Sequence, residues 1–152
     1  MLKYNDMSVK KVIISACLLG ENCRYDAKTK ESKQIIEKYK GHEIIPFCPE
    51  APLFGTPRQR ISVVQIAGEN RIITDETNED VTVKLQDEIN SFIENNQKVD
   101  AIVLKSKSPS CGLGTTPILN EKREVIEFKN GIAADIFLDK YPNINIVDEF
   151  LE

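Results

Sequence analysis

The chain has 152 residues, 41% of them hydrophobic, which fits a single domain with an ordinary core and no need of crosslinks to fold. Its 20 basic and 24 acidic side chains leave a net charge of −4, which argues against an extended nucleic-acid surface while leaving room for a local basic loop to hold one phosphate. No apolar run approaches the ~18 residues that a membrane span requires, and the opening Met-Leu-Lys-Tyr-Asn-Asp lacks the apolar core and cleavage site of a signal peptide, so a cytoplasmic address is expected.

Residues 1–10 are polar and are expected to form a flexible lead-in to one α/β domain over 11–152. Lys11-Val-Ile-Ile-Ser15 is β-branched and reads as a buried strand, ended by Cys17-Leu-Leu-Gly20. Residues 31–40 read as a helix stopped by Gly41, and Glu43-Ile-Ile-Pro-Phe47 as a second strand running into Cys48-Pro49-Glu50. The prolines, glycine and arginines of 51–61 predict a loop. Ser62–Ala67 and Arg71–Thr74, around Gly68-Glu-Asn70, predict a small hairpin. Apolar positions 81, 85, 89, 92 and 93 predict a helix over 79–96, with Thr77 or Asn78 as its cap. Ala101–Leu104 is a third strand, 117–128 suggests two short strands around Asn120-Glu-Lys-Arg123, Gly131–Lys140 a helix, and Asn145-Ile-Val147 a last strand. Strands alternating with helices predict a three-layer α/β fold: a mostly parallel sheet flanked by helices, with the hairpin as an insertion.

The four cysteines are Cys17, Cys23, Cys48 and Cys111. No secretion signal favours disulfides and no Cys-x-x-Cys pair supports a zinc ribbon. The single histidine, His42, reads as a solvated loop residue. Cys17 follows the first strand, Cys48 the second, and Cys111 lies in the loop after the third, within Lys105-Ser-Lys-Ser-Pro-Ser-Cys-Gly. Serines, lysines and glycine around Cys111 suggest a thiol of lowered pKa, suited to nucleophilic attack or metal ligation. In open α/β sheets ligands bind beyond the carboxyl ends of the strands, so these thiols can meet there. Converging thiolates suit an iron–sulfur cluster or a zinc ion, and Cys23 is available as a fourth. The competing reading is that some of them are buried free thiols.

The stretches "SACLLGENCRYD" (15–26), "FCPE" (47–50), "TPR" (56–58), "EDVT" (79–82) and "LKSKSPSCG" (104–112) occur in the order and rough spacing of a known family. Over about residues 11–148 the chain resembles the bacterial and archaeal family, formerly of unknown function, that includes thiouracil desulfidases of the TudS type. The resemblance implies an oxygen-sensitive [4Fe–4S] cluster held by three cysteines, here Cys17, Cys48 and Cys111, with one iron open to the sulfur of a thiolated pyrimidine. It implies non-redox removal of sulfur from a thiouracil or 4-thiouridine nucleotide, a small-molecule partner, and a cofactor prone to loss in air. Cys23 stands where relatives also carry other residues and is not assigned as a ligand.

Given that chemistry, Glu50 is a candidate base for the attacking water, and Ser108 a candidate to orient water, base or pyrimidine, with Ser110 competing for that role. The alternatives are that Glu50 pairs with an arginine and that a serine merely bonds the loop backbone. Arg24, Arg58 and Lys105 are candidates for a phosphate or pyrimidine oxygen, and Tyr25 for stacking. Lys107 reads as solvated charge, and Asp26 and Asp80 as loop-fixing acceptors. Two stretches depart from the family pattern: Ala51-Pro-Leu-Phe-Gly55 after Cys48-Pro-Glu, and residues 115–131 after the third cysteine. Both bear on substrate identity more than on the cluster. The other readings left open are a non-catalytic iron–sulfur or zinc module, and a cluster enzyme for a different thiocarbonyl compound.

Overall fold

The computed structural model describes residues 10–26 and 28–150, so the lead-in expected over 1–10 lies almost wholly outside the described residues. Strands β1 (Lys11–Ser15), β2 (Glu43–Phe47), β5 (Ala101–Leu104) and β8 (Asn145–Asp148) form one sheet in the order β2-β1-β5-β8. All of its neighbours run parallel. The Val12-Ile13-Ile14 run explains its central place, because a strand apolar at every position buries both faces. Val12 and Ile14 pack with Ile35 of helix α1 (Lys33–Lys38) on one side. Ile13 packs with Ile89 of α3 (Thr82–Glu94) and Phe137 of α4 (Ile132–Lys140) on the other. The expected three layers are therefore present, and Ile35, fully buried, contributes roughly 2 kcal/mol to holding α1 down. Ser32 caps α1 by accepting the N–H of Ile35 at 3.3 Å.

The hairpin forms as expected, as β3 (Ile61–Ile66) and β4 (Glu69–Thr74), but it is part of something larger. β3 also pairs in parallel with β6 (Thr116–Leu119), which pairs with β7 (Val125–Lys129), giving a second four-stranded sheet in the order β4-β3-β6-β7. The pairing joins segments far apart in sequence, and short-range pattern carries no signal for it. Helix α3 bridges the two sheets: its Leu85 packs with Val63, Ile72 and Ile118, while its Ile89 and Ile93 belong to the core of the first sheet.

Two local expectations change. The 51–61 stretch opens with a one-turn helix, α2 (Ala51–Phe54), with a proline in its first turn, where the missing N–H costs nothing. Neither Thr77 nor Asn78 caps α3; Val81 is the cap, and Asp80 Oδ1 accepts the N–H of Thr82 at 3.0 Å. Asn78 instead adopts a left-handed turn, φ 56°, and Thr77 bonds Thr74 and Gln59. As a loop-fixing acceptor, Asp80 also takes the Arg71 Nε–H at 2.8 Å. No described helix is long and apolar enough to cross a membrane.

The bond from Arg71, reinforced by the Thr82 N–H, holds the Asp80 carboxyl at about 2, below its ordinary 3.8. A depressed carboxylate contributes stability that is present above the unfolded value and lost as pH falls through the folded one. Asp80→Asn should therefore lower the melting temperature at pH 7 by a few degrees at most, since both partners are partly exposed. The gap to the parent should close as pH approaches about 2. Thermal melts of both proteins across that range check this, and a gap that widens on acidification would contradict it.

Candidate active site

Beyond the carboxyl ends of β2, β1 and β5 lies a cavity of about 650 Å³. Each strand delivers a thiol to it. A 3-10 turn (Ala16–Leu19) follows β1 and carries Cys17, and Gly20, at φ 93°, reverses the chain after it. The Cys17 carbonyl then accepts the Lys30 N–H at 3.2 Å and the Thr29 hydroxyl at 2.7 Å, folding the return loop with Cys23, Arg24 and Tyr25 over the cavity. β2 runs straight into Cys48-Pro49-Glu50, and the N–H of Ala51 donates to Cys48 Sγ at 3.4 Å. After β5, the Lys105 N–H donates to Ser15 Oγ at 2.9 Å, tying two strand ends together.

The loop bearing Cys111 is clamped. Ser108 Oγ accepts the N–H of Ser110 at 3.2 Å and of Cys111 at 3.1 Å. The Thr116 hydroxyl donates to the Ser108 carbonyl, and the Ala133 N–H to that of Ser110, each at 2.7 Å. Gly131 has no room for a side chain: a Cβ there would lie 2.4 Å from the Ser110 carbonyl carbon and 2.7 Å from the Cys111 nitrogen.

All four cysteines are free and line this one cavity. Cys17 and Cys111 are buried, Cys23 and Cys48 half-buried. The Cys48 thiol points at the Cys23 carbonyl, at 3.8 Å. Among the described residues, no three Cys, His, Asp or Glu side chains close around a single ion-sized point. The thiols face a shared cavity rather than a single point.

The thiol chemistry differs from the expectation for Cys111. Rather than sitting in an electropositive loop, it is buried, and burial pushes its thiol up to about 12 against the opposing pull of the Ser110 hydroxyl at 3.6 Å. Cys48 is raised by its bond to Cys23 and by burial, and Cys23 to about 11 by its bond to Cys17. Cys17 is lowered, because the Cys23 thiol donates to it. In the metal-free protein most of these sulfurs hold their protons, which metal ligation has to displace.

Arg24, Tyr25, Glu50, Arg58, Lys105, Lys107, Ser108 and Ser110 also line the cavity, whereas Asp26, His42 and Asp80 do not. Glu50 is buried, with Oε2 accepting the Ser110 hydroxyl at 2.7 Å and Oε1 facing Arg58 Nη2 at 3.4 Å. Ser110 thus touches the carboxylate, while Ser108 serves the loop backbone. The Arg58 side chain is buried too, and its Nε has no hydrogen-bond partner among the described residues. The Arg24 and Arg60 guanidinium groups each lie over the Tyr25 ring, 5.6 Å and 5.0 Å from its centre. Arg24 also faces Asp26 at 3.8 Å, and Asp26 fixes the loop by accepting the Lys28 N–H.

Lys105 is paired with Glu149 at 3.2 Å. Burial pushes the Glu149 carboxyl up, but the two bonds from Ser106 and the Lys105 charge outweigh it and leave the group lowered. Glu149, Arg60 and Ser15 escaped the sequence reading. Ser15 alone had a signal, its place at the end of a strand in "SACLLG".

The 2-thiouracil desulfurase family model matches residues 12–149. The chain belongs to this family. Membership makes it an enzyme of desulfuration. The desulfurase is similar to YbbK, an uncharacterized protein of Bacillus subtilis (strain 168), at 29% identity over 113 residues, covering 68% of this chain and 74% of that one. Its structure is similar to that of TudS, a [4Fe-4S]-dependent thiouracil desulfidase, with a TM-score of 0.70 and 30% identity over 93% of this chain and 91% of that one.

Gly131→Ala should force the Ser110–Cys111 backbone outward. We expect a loss of about 1–3 kcal/mol in denaturant unfolding. Faster reaction of Cys111 with a thiol reagent should accompany it. Unchanged stability and reactivity would mean that the loop is not clamped as described.

Proposed function

We propose that the desulfurase removes sulfur from a thiolated pyrimidine, thiouracil or a 4-thiouridine nucleotide, in a [4Fe–4S]-dependent reaction without net electron transfer. The observation that carries the reading is the delivery of cysteines from three adjacent parallel strand ends to one cavity that also holds the buried Glu50–Ser110 pair. The donor set fits a cluster: free thiols spread around a cavity, with an N–H on Cys48 Sγ and a hydroxyl beside Cys111 Sγ. Cys17, Cys48 and Cys111 would hold it and leave one iron without a protein ligand, and the chain from residue 11 onward would work as one cluster-binding unit.

When bound, the cluster supplies a soft Lewis acid that draws on the thiocarbonyl sulfur. The overall change is C=S plus water to C=O plus hydrogen sulfide, with no electron gained or lost. Glu50 takes the proton of the attacking water at Oε1, the oxygen held only by the longer contact to Arg58. Ser110 keeps the carboxylate aimed through its bond to Oε2. Tyr25 stacks on the pyrimidine ring, flanked by Arg24. Arg58 carries the unpartnered donor beside Glu50, and Lys105, steadied by Glu149, sets positive charge on the cavity wall.

Anaerobic reconstitution followed by iron and sulfide analysis tests the cofactor. Each of Cys17→Ala, Cys48→Ala and Cys111→Ala should lose most of the iron per chain; a full complement in all three would overturn the ligand set. Turnover of 2-thiouracil and 4-thiouridine monophosphate by the loaded protein tests the activity, and a cluster-loaded protein inert to both would be a binding module instead. Glu50→Gln should keep its iron and lose about 100-fold or more in rate. An undiminished rate would remove Glu50 from the chemistry.

A further inference from the structure

The cations on the cavity wall fall into two groups. Arg24, Arg58 and Lys105 each face a carboxylate: Asp26 at 3.8 Å, Glu50 at 3.4 Å and Glu149 at 3.2 Å. Lys30, Arg60 and Lys107 are exposed, line the same cavity and form no ion pair among the described residues. One lining carboxylate, Glu31, stands without a cation partner among those residues. The wall therefore keeps uncompensated positive charge in a chain whose net charge is −4.

Arg60 differs from the other two unpaired cations in having its charged end held in place. Its carbonyl accepts the Asp75 N–H at 2.9 Å, and two residues earlier the Arg58 N–H donates to the Tyr25 carbonyl at 2.7 Å. Gln59 between them is anchored as well, its Oε1 accepting the N–H groups of Glu76 and Thr77. The Arg60 guanidinium then lies over the Tyr25 ring, 5.0 Å from its centre, a contact that fixes a cation without neutralising it. Arg24 lies over the same ring at 5.6 Å, so two guanidinium groups share one ring with only the long Arg24–Asp26 contact to balance them. Like charges gathered at one ring favour an anion beside them.

The two arginines stand within reach of the cysteines. Tyr25 follows Cys23 by two residues, about 7 Å of chain at most, and the Cys23 carbonyl faces Cys48 Sγ at 3.8 Å. That separation suits the ribose that joins a pyrimidine to a 5′-phosphate. A phosphate monoester offers a guanidinium two oxygens at once, the geometry in which arginine binds best.

We propose that Arg60 is a specificity-determining residue: with Arg24 it binds the 5′-phosphate of the substrate and so selects a thiolated pyrimidine nucleotide over the free base or nucleoside. This rests on the reading that a thiolated pyrimidine is what the cavity desulfurates. The sulfur chemistry stays with the groups at the strand ends, and Arg60 acts on how tightly the substrate is held.

Titration calorimetry with uridine monophosphate, uridine and inorganic phosphate reads the contact without turnover, because these compounds carry no sulfur to remove. On the anaerobically loaded full-length protein, uridine monophosphate should bind at least about 10-fold more tightly than uridine, and more weakly as salt is raised. Arg60→Gln should lose about 10- to 100-fold in affinity for the monophosphate and hold uridine within about twofold of the parent, and Arg60→Lys should recover part of the loss. In turnover, Arg60→Gln should raise KM for 4-thiouridine monophosphate by a similar factor, with kcat near the parent's and 4-thiouridine consumed as before.

An unchanged preference in Arg60→Gln overturns the proposal. So does an equal loss for uridine, which would make Arg60 only a prop for Tyr25, and so does inorganic phosphate that binds as tightly as the nucleotide, which would mark a separate anion site. An equal loss of preference in Lys30→Gln would assign the effect to the general field of the wall and overturn it as well. Should the loaded protein turn over neither thiolated compound, the desulfuration reading fails, while the calorimetry still decides whether Arg60 selects the phosphate.

Discussion

The parallel pairing of β1 with β2 on one side and β5 on the other sets where the four thiols meet. Ser15 lies level with Phe47, and Ile14 with Val103, so the three strands end together at one edge. Whatever follows them in sequence is then forced into the same small volume, although long stretches of chain separate the segments. The edge lies where the sheet order turns back on itself, with β2 to one side of β1 and β5 to the other, the place where open α/β sheets leave a crevice. The remaining site groups are arranged around this edge. The Lys105-to-Ser15 bond laces two strand ends, and Ser106 and Glu149 add the end of β8.

Much of this was legible in the amino-acid order because it depends on short-range pattern. A β-branched run that is apolar at every position has one stable solution, burial on both faces, and β1 is buried in this way from Val12 to Ser15, while β2 falls on its expected residues as a more exposed edge strand. Each cysteine beside a glycine or proline at a strand end marks a turn facing the crevice. The second sheet was less visible. Its β3–β6 contact is a long-range pairing of two short strands, and only their individual turn signals are local. Burial of Cys111 was hidden for a related reason. Its sequence neighbours are polar, but their polar atoms are turned into the loop's own hydrogen bonds, and Gly131 of a distant segment closes over it. The partner of Lys105 comes from the far end of the chain, where no motif marks Glu149.

Glu50 shows how a buried carboxylate is made tolerable without being locked away. An isolated charge in such a place is costly, and the hydroxyl of Ser110 and the guanidinium of Arg58 offset the cost from two sides. The two contacts are unequal, a short bond from a hydroxyl and a longer ionic one. The group is thereby oriented by one partner and charge-balanced by the other. Arg58 is itself incompletely satisfied at Nε, so the pair has capacity for one more polar neighbour.

The two sheets contribute different things to the cavity. The first supplies the cysteines, and the approach to β3 in the second supplies Arg58 and Arg60. Helix α3 packs in both cores through its own side chains, with Leu85 on one side and Ile89 and Ile93 on the other, and α4 does so as well, since its Ile132 packs against both. The cysteines on the one hand, and Arg58 and Arg60 on the other, therefore sit on separately patterned pieces of chain joined by packed helices. Divergence in one piece need not disturb the other, and the stretches 51–55 and 115–131 lie outside the strands of the first sheet.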